Sequence, residues 1–136
     1  MTETSTCRKL TPATHILLMA SRAGLSKAVI AALEEGADID APGCDDWNAL
    51  GLATFYGHYT VVKILVALGA DPHVLIEKGA TLLMYAAMQG HANIGEYLIS
   101  LGVPIDVVDG DGDSAMSVAK RCGHEKFIAM LEKYIK

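Results

Sequence analysis

Asp109-Gly110-Asp111-Gly112-Asp113 is the part of this chain that comes nearest to a set of metal ligands. A calcium loop takes oxygens from its first, third and fifth positions, turns on a glycine at the sixth and closes with a glutamate at the twelfth. Asp109, Asp111 and Asp113 fill the first three places, but Ser114 and Lys120 stand where the glycine and glutamate belong. The run therefore reads first as the acidic, solvated tip of a hairpin. Binding of a cation or small ligand by Asp109, Asp111 and Asp113 is the alternative. Three Gly-His pairs, ending in His58, His91 and His124, offer imidazoles, which are zinc ligands by type. Cys122 follows Arg121, and a neighbouring cation favours a thiolate. No nucleophile elbow, phosphate loop, Cys-x-x-Cys or His-Glu-x-x-His accompanies them. Without a convergent acid, base and nucleophile, the chain reads as a non-enzyme, with no catalytic residue, metal or cofactor.

A different kind of chemistry is suggested by the aromatics. The chain has eight, and four of them, Trp47, Phe55, Tyr56 and Tyr59, fall within thirteen residues. Aromatic and arginine side chains dominate the energetics of protein interfaces. The other reading is that Phe55 or Tyr56 turns inward, filling space beside Ala49 and Gly51.

The elements that must position these residues follow from a period. Gly24, Gly57, Gly90 and Gly123 lie 33 residues apart, and so do Gly36, Gly69 and Gly102. Ala20, Ala53, Ala86 and Ala119 keep the same step. A fixed period of this size means one supersecondary unit stacked on its own copies. Within the third copy, Leu82 to Met88 is an apolar run of two turns, too short to be helical alone. Ile94, Tyr97, Leu98 and Leu101 recur at helical spacing, as one buried face requires. Gly90 separates the two and Gly102 ends the second. Thr81, and Asn48 and Ser114 one period either side, are placed to cap the first helices. Copies stacked about 10 Å apart keep the three histidines from converging on one ion, so they read as structural.

This pattern resembles the ankyrin repeat. Gly79, Thr81, Leu83, Ala86, Ala87, Gly90, His91, Ile94, Leu98, Ile99 and Gly102 match its motif in the third repeat. Leu50, Ala53, Gly57, His58, Val61, Val62, Leu65, Gly69, Ala70 and Asp71 do so in the second. The likeness runs from about Leu10 to Lys136. It implies an all-α solenoid of four helix-turn-helix repeats with short β-hairpin-type connections, approximately 10–43, 44–76, 77–109 and 110–136. These form one domain, 10–136, after a loose N-terminus, 1–9. The family's Thr-Pro-Leu-His tetrad is altered, reading His15-Ile16-Leu17-Leu18 in the first repeat, and no repeat keeps its proline at the second place or its histidine at the fourth. Gly95 stands where a Val or Ile is usually buried, which leaves a small cavity.

The resemblance also implies a concave partner-binding face at the hairpin tips and first-helix ends. Carried over by motif, it comprises Arg22 in repeat 1, then Asp45, Trp47, Phe55 and Tyr56 in repeat 2. Glu77, Lys78, Met88 and Gln89 follow in repeat 3, and Asp111, Asp113 and Arg121 in repeat 4. The implied function is a monomeric protein-interaction module acting as an inhibitor, immunity protein or adaptor, on a protein with apolar and basic features. A net charge of −5 opposes a nucleic-acid partner. No 18-residue apolar run suggests a membrane span, and no signal peptide opens the chain. Cys7, Cys44 and Cys122 show no pairing pattern, so a reduced, cytoplasmic location is expected, with export by a route needing no signal peptide left open. Terminal repeats need polar outer faces. Glu125, Lys126, Glu132 and Lys133 supply one, and Lys27, Glu34 and Glu35 supply the other less fully. Both ends thus read as capped and the protein as complete.

Overall fold

A computed structural model of the chain describes residues 11–43 and 47–134. The expected loose segment 1–9 lies outside the described residues, as do Cys44 and Asp45. The described chain divides into two compact units, one ending at Asp71 and the other beginning at Pro72. The first holds α1 (Pro12–Ala23), α2 (Ser26–Glu34), α3 (Ala49–Phe55) and α4 (Tyr59–Ala67). The second holds a 3-10 turn (Glu77–Gly79), then α5 (Leu82–Gln89), α6 (Ala92–Ser100), α7 (Ala115–Cys122) and α8 (Glu125–Tyr134). The architecture is all-α and made of helical repeats. None of the described helices is long and apolar enough to cross a membrane.

Each repeat is an antiparallel helix pair whose turn obeys one rule. The N–H of the residue after each of Gly24, Gly57, Gly90 and Gly123 donates to the carbonyl of the alanine four residues before that glycine: Leu25 to Ala20, His58 to Ala53, and His91 to Ala86 at 2.9 Å, and His124 to Ala119 at 3.0 Å. This is the six-to-one bond of a helix-terminating motif, which a left-handed residue makes possible. Gly90 has φ 76° there. The alanines are small because they are buried at the turn; none is more than 3% exposed.

Within the first unit α1 packs on α2 and α3, and α4 packs on α3 and α2. Leu17, Val29, Leu50, Val61 and Leu65 are buried between them. The second unit repeats this plan, with α5 on α6 and α7, and α8 on α7 and α6, around Leu83, Ile94, Leu98, Phe127 and Leu131. The caps fall where the period puts them. Asn48 Oδ1 accepts from Gly51 N–H at 2.8 Å and Thr81 Oγ1 from Met84 N–H at 3.3 Å. Ser114 and Ser117 cap each other's backbone N–H in a capping box. The connections carry hairpin bonds, also one period apart: Gly43 N–H to Trp47 O, Ile76 N–H to Ala80 O and Asp109 N–H to Asp113 O, each 2.9 Å.

Three local expectations are corrected. α1 begins a turn before the register of the tetrad, because Thr11 caps it by accepting from Thr14 N–H at 3.1 Å and Pro12 suits the first helical position. His15 is therefore inside the helix. Gly95 leaves no cavity: a Cβ there would lie 2.7 Å from two ring atoms of Phe127 and 2.9 Å from Met130 Cε. The Phe127 ring already occupies that space. Finally, the outer face of repeat 1 is not a polar cap. Ile16, Met19 and Leu25 are 52%, 44% and 57% exposed on it.

Candidate protein-binding surface

In the first unit the turn rule delivers the aromatics. Trp47 precedes the Asn48 cap, Phe55 is the last residue of α3, and Tyr56 ends that helix. Their rings run edge to face, Trp47 to Phe55 at 5.2 Å and 80°, Phe55 to Tyr56 at 5.2 Å and 81°. Arg22, in the last turn of α1, holds its guanidinium carbon 5.4 Å from the Tyr56 ring centre, a cation–π distance. Trp47 and Phe55 are half-buried, while Tyr56 stays 43% exposed. The expected members of the site in this unit, Asp45 aside, are thus brought together. The inward reading of Tyr56 does not hold.

A histidine locks the cluster's footing. His58 Nε2–H donates to the Arg22 carbonyl at 2.8 Å, and its ring lies over Gly24. A Cβ at Gly24 would come under 3.0 Å from three ring atoms. The second unit repeats the device: His124 Nε2–H donates to the Met88 carbonyl at 3.0 Å, and its ring covers Gly90. These two Gly-His pairs are therefore repeat-to-repeat ties, each closing the end of the first helix before it.

In the second unit the expected residues sort into two groups. Met88 and Gln89, both exposed, finish α5, one period after Phe55 and Tyr56. Glu77 opens the 3-10 turn beside Lys78, whose φ of 58° is left-handed. Lys78 Nζ lies 3.5 Å from Asp111, and its carbonyl accepts from Gly110 N–H at 2.7 Å, so one hairpin is pinned to the next. Arg121 pairs with Asp113 at 2.8 Å. That guanidinium bond holds the Asp113 carboxyl below its ordinary range and raises Arg121.

The alternative of a cation site fares poorly on this geometry. Asp109 Oδ1 accepts from the N–H groups of Asp111 at 2.9 Å and Asp113 at 3.0 Å. Asp111 faces Lys78 and Asp113 faces Arg121 and Ser117. The three carboxylates are thus turned to separate internal partners. Among the described residues no group of three His, Cys, Asp or Glu side chains could hold a metal ion. Cys122 is exposed at the end of α7.

One feature escaped the sequence reading. Beside Tyr56 lies an apolar groove of about 590 Å³, lined chiefly by Ile16, Met19, Ala23, Leu25 and Ala28, with Arg22 at its rim. The signal was available: Ile16 and Met19 are apolar and lie one period before Ala49 and Leu52.

Comparison with known proteins agrees with this geometry. The family model for "Ankyrin repeats (3 copies)" matches residues 3–76 and 68–136. Ankyrin repeat domain-containing protein 63 of Mus musculus is 32% identical over 103 residues, 73% of this chain and 26% of that protein. Protein phosphatase 1 regulatory subunit 27 of Homo sapiens is 45% identical over 65 residues, 48% of this chain and 42% of that protein. Ankyrin repeat and KH domain-containing protein mask-1 of Caenorhabditis elegans is 37% identical over 86 residues, 62% of this chain but 3% of that protein. The chain spans less than half the length of each of these relatives. With the helix pairs, turn bonds and hairpins all on one 33-residue period, the chain belongs to the ankyrin-repeat family.

Proposed function

We propose that this protein is a non-enzymatic adaptor or regulatory module that binds one protein partner through the surface around Tyr56. Ankyrin repeats are protein–protein interaction modules, and a relative named as a phosphatase regulatory subunit supports a regulatory role. The observation that carries the reading is the Trp47–Phe55–Tyr56 ring chain with Arg22 over its exposed end. Tyr56 is held at the closed end of a packed helix, so little side-chain freedom is lost when a partner covers it. The partner is expected to offer apolar side chains to these rings. Its basic character, expected from Asp111 and Asp113, has weaker support, since Lys78 and Arg121 already meet those charges. Inhibitor and immunity roles remain forms of the same surface occupation. A reduced intracellular setting fits the exposed, unpaired Cys122.

The test is affinity. A partner captured with the full chain is titrated against Trp47→Ala, Tyr56→Ala, Lys63→Ala and Glu96→Ala, each checked by thermal melting. Truncating a true anchor removes about 2 kcal/mol or more, about thirtyfold in affinity. Lys63 and Glu96 lie on second helices and should each change binding by less than about 0.5 kcal/mol. The reading fails if the second-helix changes weaken binding while the aromatic changes leave it intact.

A further inference from the structure

We infer, resting on the surface proposed above, that Arg22 is the specificity-determining residue of that surface and takes a side-chain carboxylate from the partner. The bound segment then carries an Asp or Glu beside the apolar residue that covers Tyr56. Arg22 and Arg121 hold the same place in the 33-residue period, each in the last turn of a first helix. In the fourth repeat the chain supplies the anion itself. Arg121 Nη1–H donates to Asp113 Oδ1 at 2.8 Å, eight residues earlier in the chain. Eight residues before Arg22 stands Thr14. It is neutral, buried and engaged elsewhere, its hydroxyl accepting from Asp38 N–H at 3.0 Å. The first repeat thus keeps the arginine and lacks the internal acid. Among the described residues the ion pairs are Lys78–Asp111, Arg121–Asp113 and Lys133–Glu96, and Arg22 enters none of them.

Arg22 is positioned without being neutralised. Its guanidinium carbon lies 5.4 Å from the Tyr56 ring centre. A cation–π contact of this kind holds the charge but uses none of the five N–H donors, which form a planar fork matched to a carboxylate. The acceptor nearest to hand is also taken, since the Arg22 carbonyl accepts from His58 Nε2–H at 2.8 Å. The place does not close when another helix packs behind it. Arg121, its counterpart, keeps a side chain 58% exposed although α5 lies on α7.

An exposed ion pair in water contributes little, but an interface changes the balance. A partner lying on Tyr56 also takes water from Arg22, and a desolvated charge without a counter-ion is costly. A neutral or basic segment is penalised there, while an acidic one is rewarded, so the arginine selects between them. The ring has already restricted the guanidinium, so less side-chain freedom is lost when the pair forms. The Arg121–Asp113 bond within the chain is the template for the contact made with the partner.

Phage-displayed random peptides, selected on the full chain and subtracted on Tyr56→Ala, test this. Retained peptides should combine Asp or Glu with a neighbouring aromatic or aliphatic residue. For one such peptide made synthetically, Arg22→Gln should weaken binding about fivefold or more, and so should replacing the peptide's acid by its amide. Both changes together should cost no more than either alone, as a direct pair requires. Arg22→Lys keeps the charge but not the fork and should retain only part of the affinity. Arg22→Glu should bind the peptide whose acid is replaced by lysine. Arg22 is exposed, so these variants should melt as the wild type does. Retained peptides that bind Arg22→Gln as tightly as wild type, whatever their charge, overturn the carboxylate assignment and leave the Tyr56 surface standing. A selection emptied by the Tyr56→Ala subtraction overturns both.

Discussion

At the scale of single residues, glycine is where packing and propensity part company. Glycine inside a helix costs about 1 kcal/mol against alanine, so Gly95→Ala in α6 looks favourable by propensity alone. The Phe127 ring and Met130 methyl reverse the sign, because a Cβ would meet them at 2.7 Å and 2.9 Å in a buried site. Overpacking of this kind costs about 1–3 kcal/mol, and set against the propensity gain it leaves an expected net loss of up to about 2 kcal/mol in chemical denaturation of Gly95→Ala. The histidines work in the opposite direction, by occupying space that glycine leaves. His58→Ala and His124→Ala each lose a bond to a helix-end carbonyl, worth about 1 kcal/mol, together with ring packing. Each variant should melt lower yet stay folded, with His58→Ala also loosening the carbonyl of Arg22 under the Tyr56 cluster. Thermal melts of the two variants check this; an unchanged midpoint in both would leave the ties without energetic weight.

Among elements, α6 and α8 show how second helices are joined at the surface. Glu96 accepts from Tyr134 Oη–H at 2.8 Å and from Lys133 Nζ at 3.3 Å. The Tyr134 bond first, and then Lys133, hold the Glu96 carboxyl below its ordinary range, while the same bond raises the Tyr134 hydroxyl. A depressed carboxyl adds stability above its unfolded value and loses it as pH falls through the lower folded value. A raised phenol adds stability below its unfolded value and loses it as pH climbs through the higher folded one. The tie is therefore complete at neutral pH and fades on both sides. Wild type and Glu96→Gln should differ most in melting temperature near neutrality and converge in acid, below the ordinary carboxylate range. The groups are exposed, so the gap should be small and shrink with salt. A gap that persists in strong acid would contradict the assignment.

For the whole molecule, stability is a matter of how many helix pairs cover one another. α1 and α2 bury Leu17, Val29 and Ala32 only in company with α3 and α4. A fragment ending at Asp46 keeps the first pair and removes its cover, and one repeat cannot bury its face alone. Circular dichroism of Met1–Asp46 is expected to show no cooperative melt. Positions covered inside a unit are apolar, and among the described residues the matching Ile16 and Met19 are exposed beside Tyr56 and Arg22.

The period alone determined the repeat class, the helix pairs, the turn glycines and three of the four N-caps. Backbone chemistry recurs with sequence: a left-handed residue, a small alanine and a side-chain cap are local requirements that each repeat must meet anew. The aromatic cluster was also legible, since Trp47, Phe55 and Tyr56 sit at fixed places in that frame. What the frame could not supply was the occupant of each space. Gly95 is filled from α8 by Phe127, 32 residues on. Gly24 and Gly90 are covered by histidines from the following repeat. The acidic hairpin is met by Lys78 and Arg121. Thr11, outside the period, moved the start of α1. Each of these depends on side chains distant in sequence meeting at van der Waals or hydrogen-bond range, and only the tertiary structure decides which of them meet.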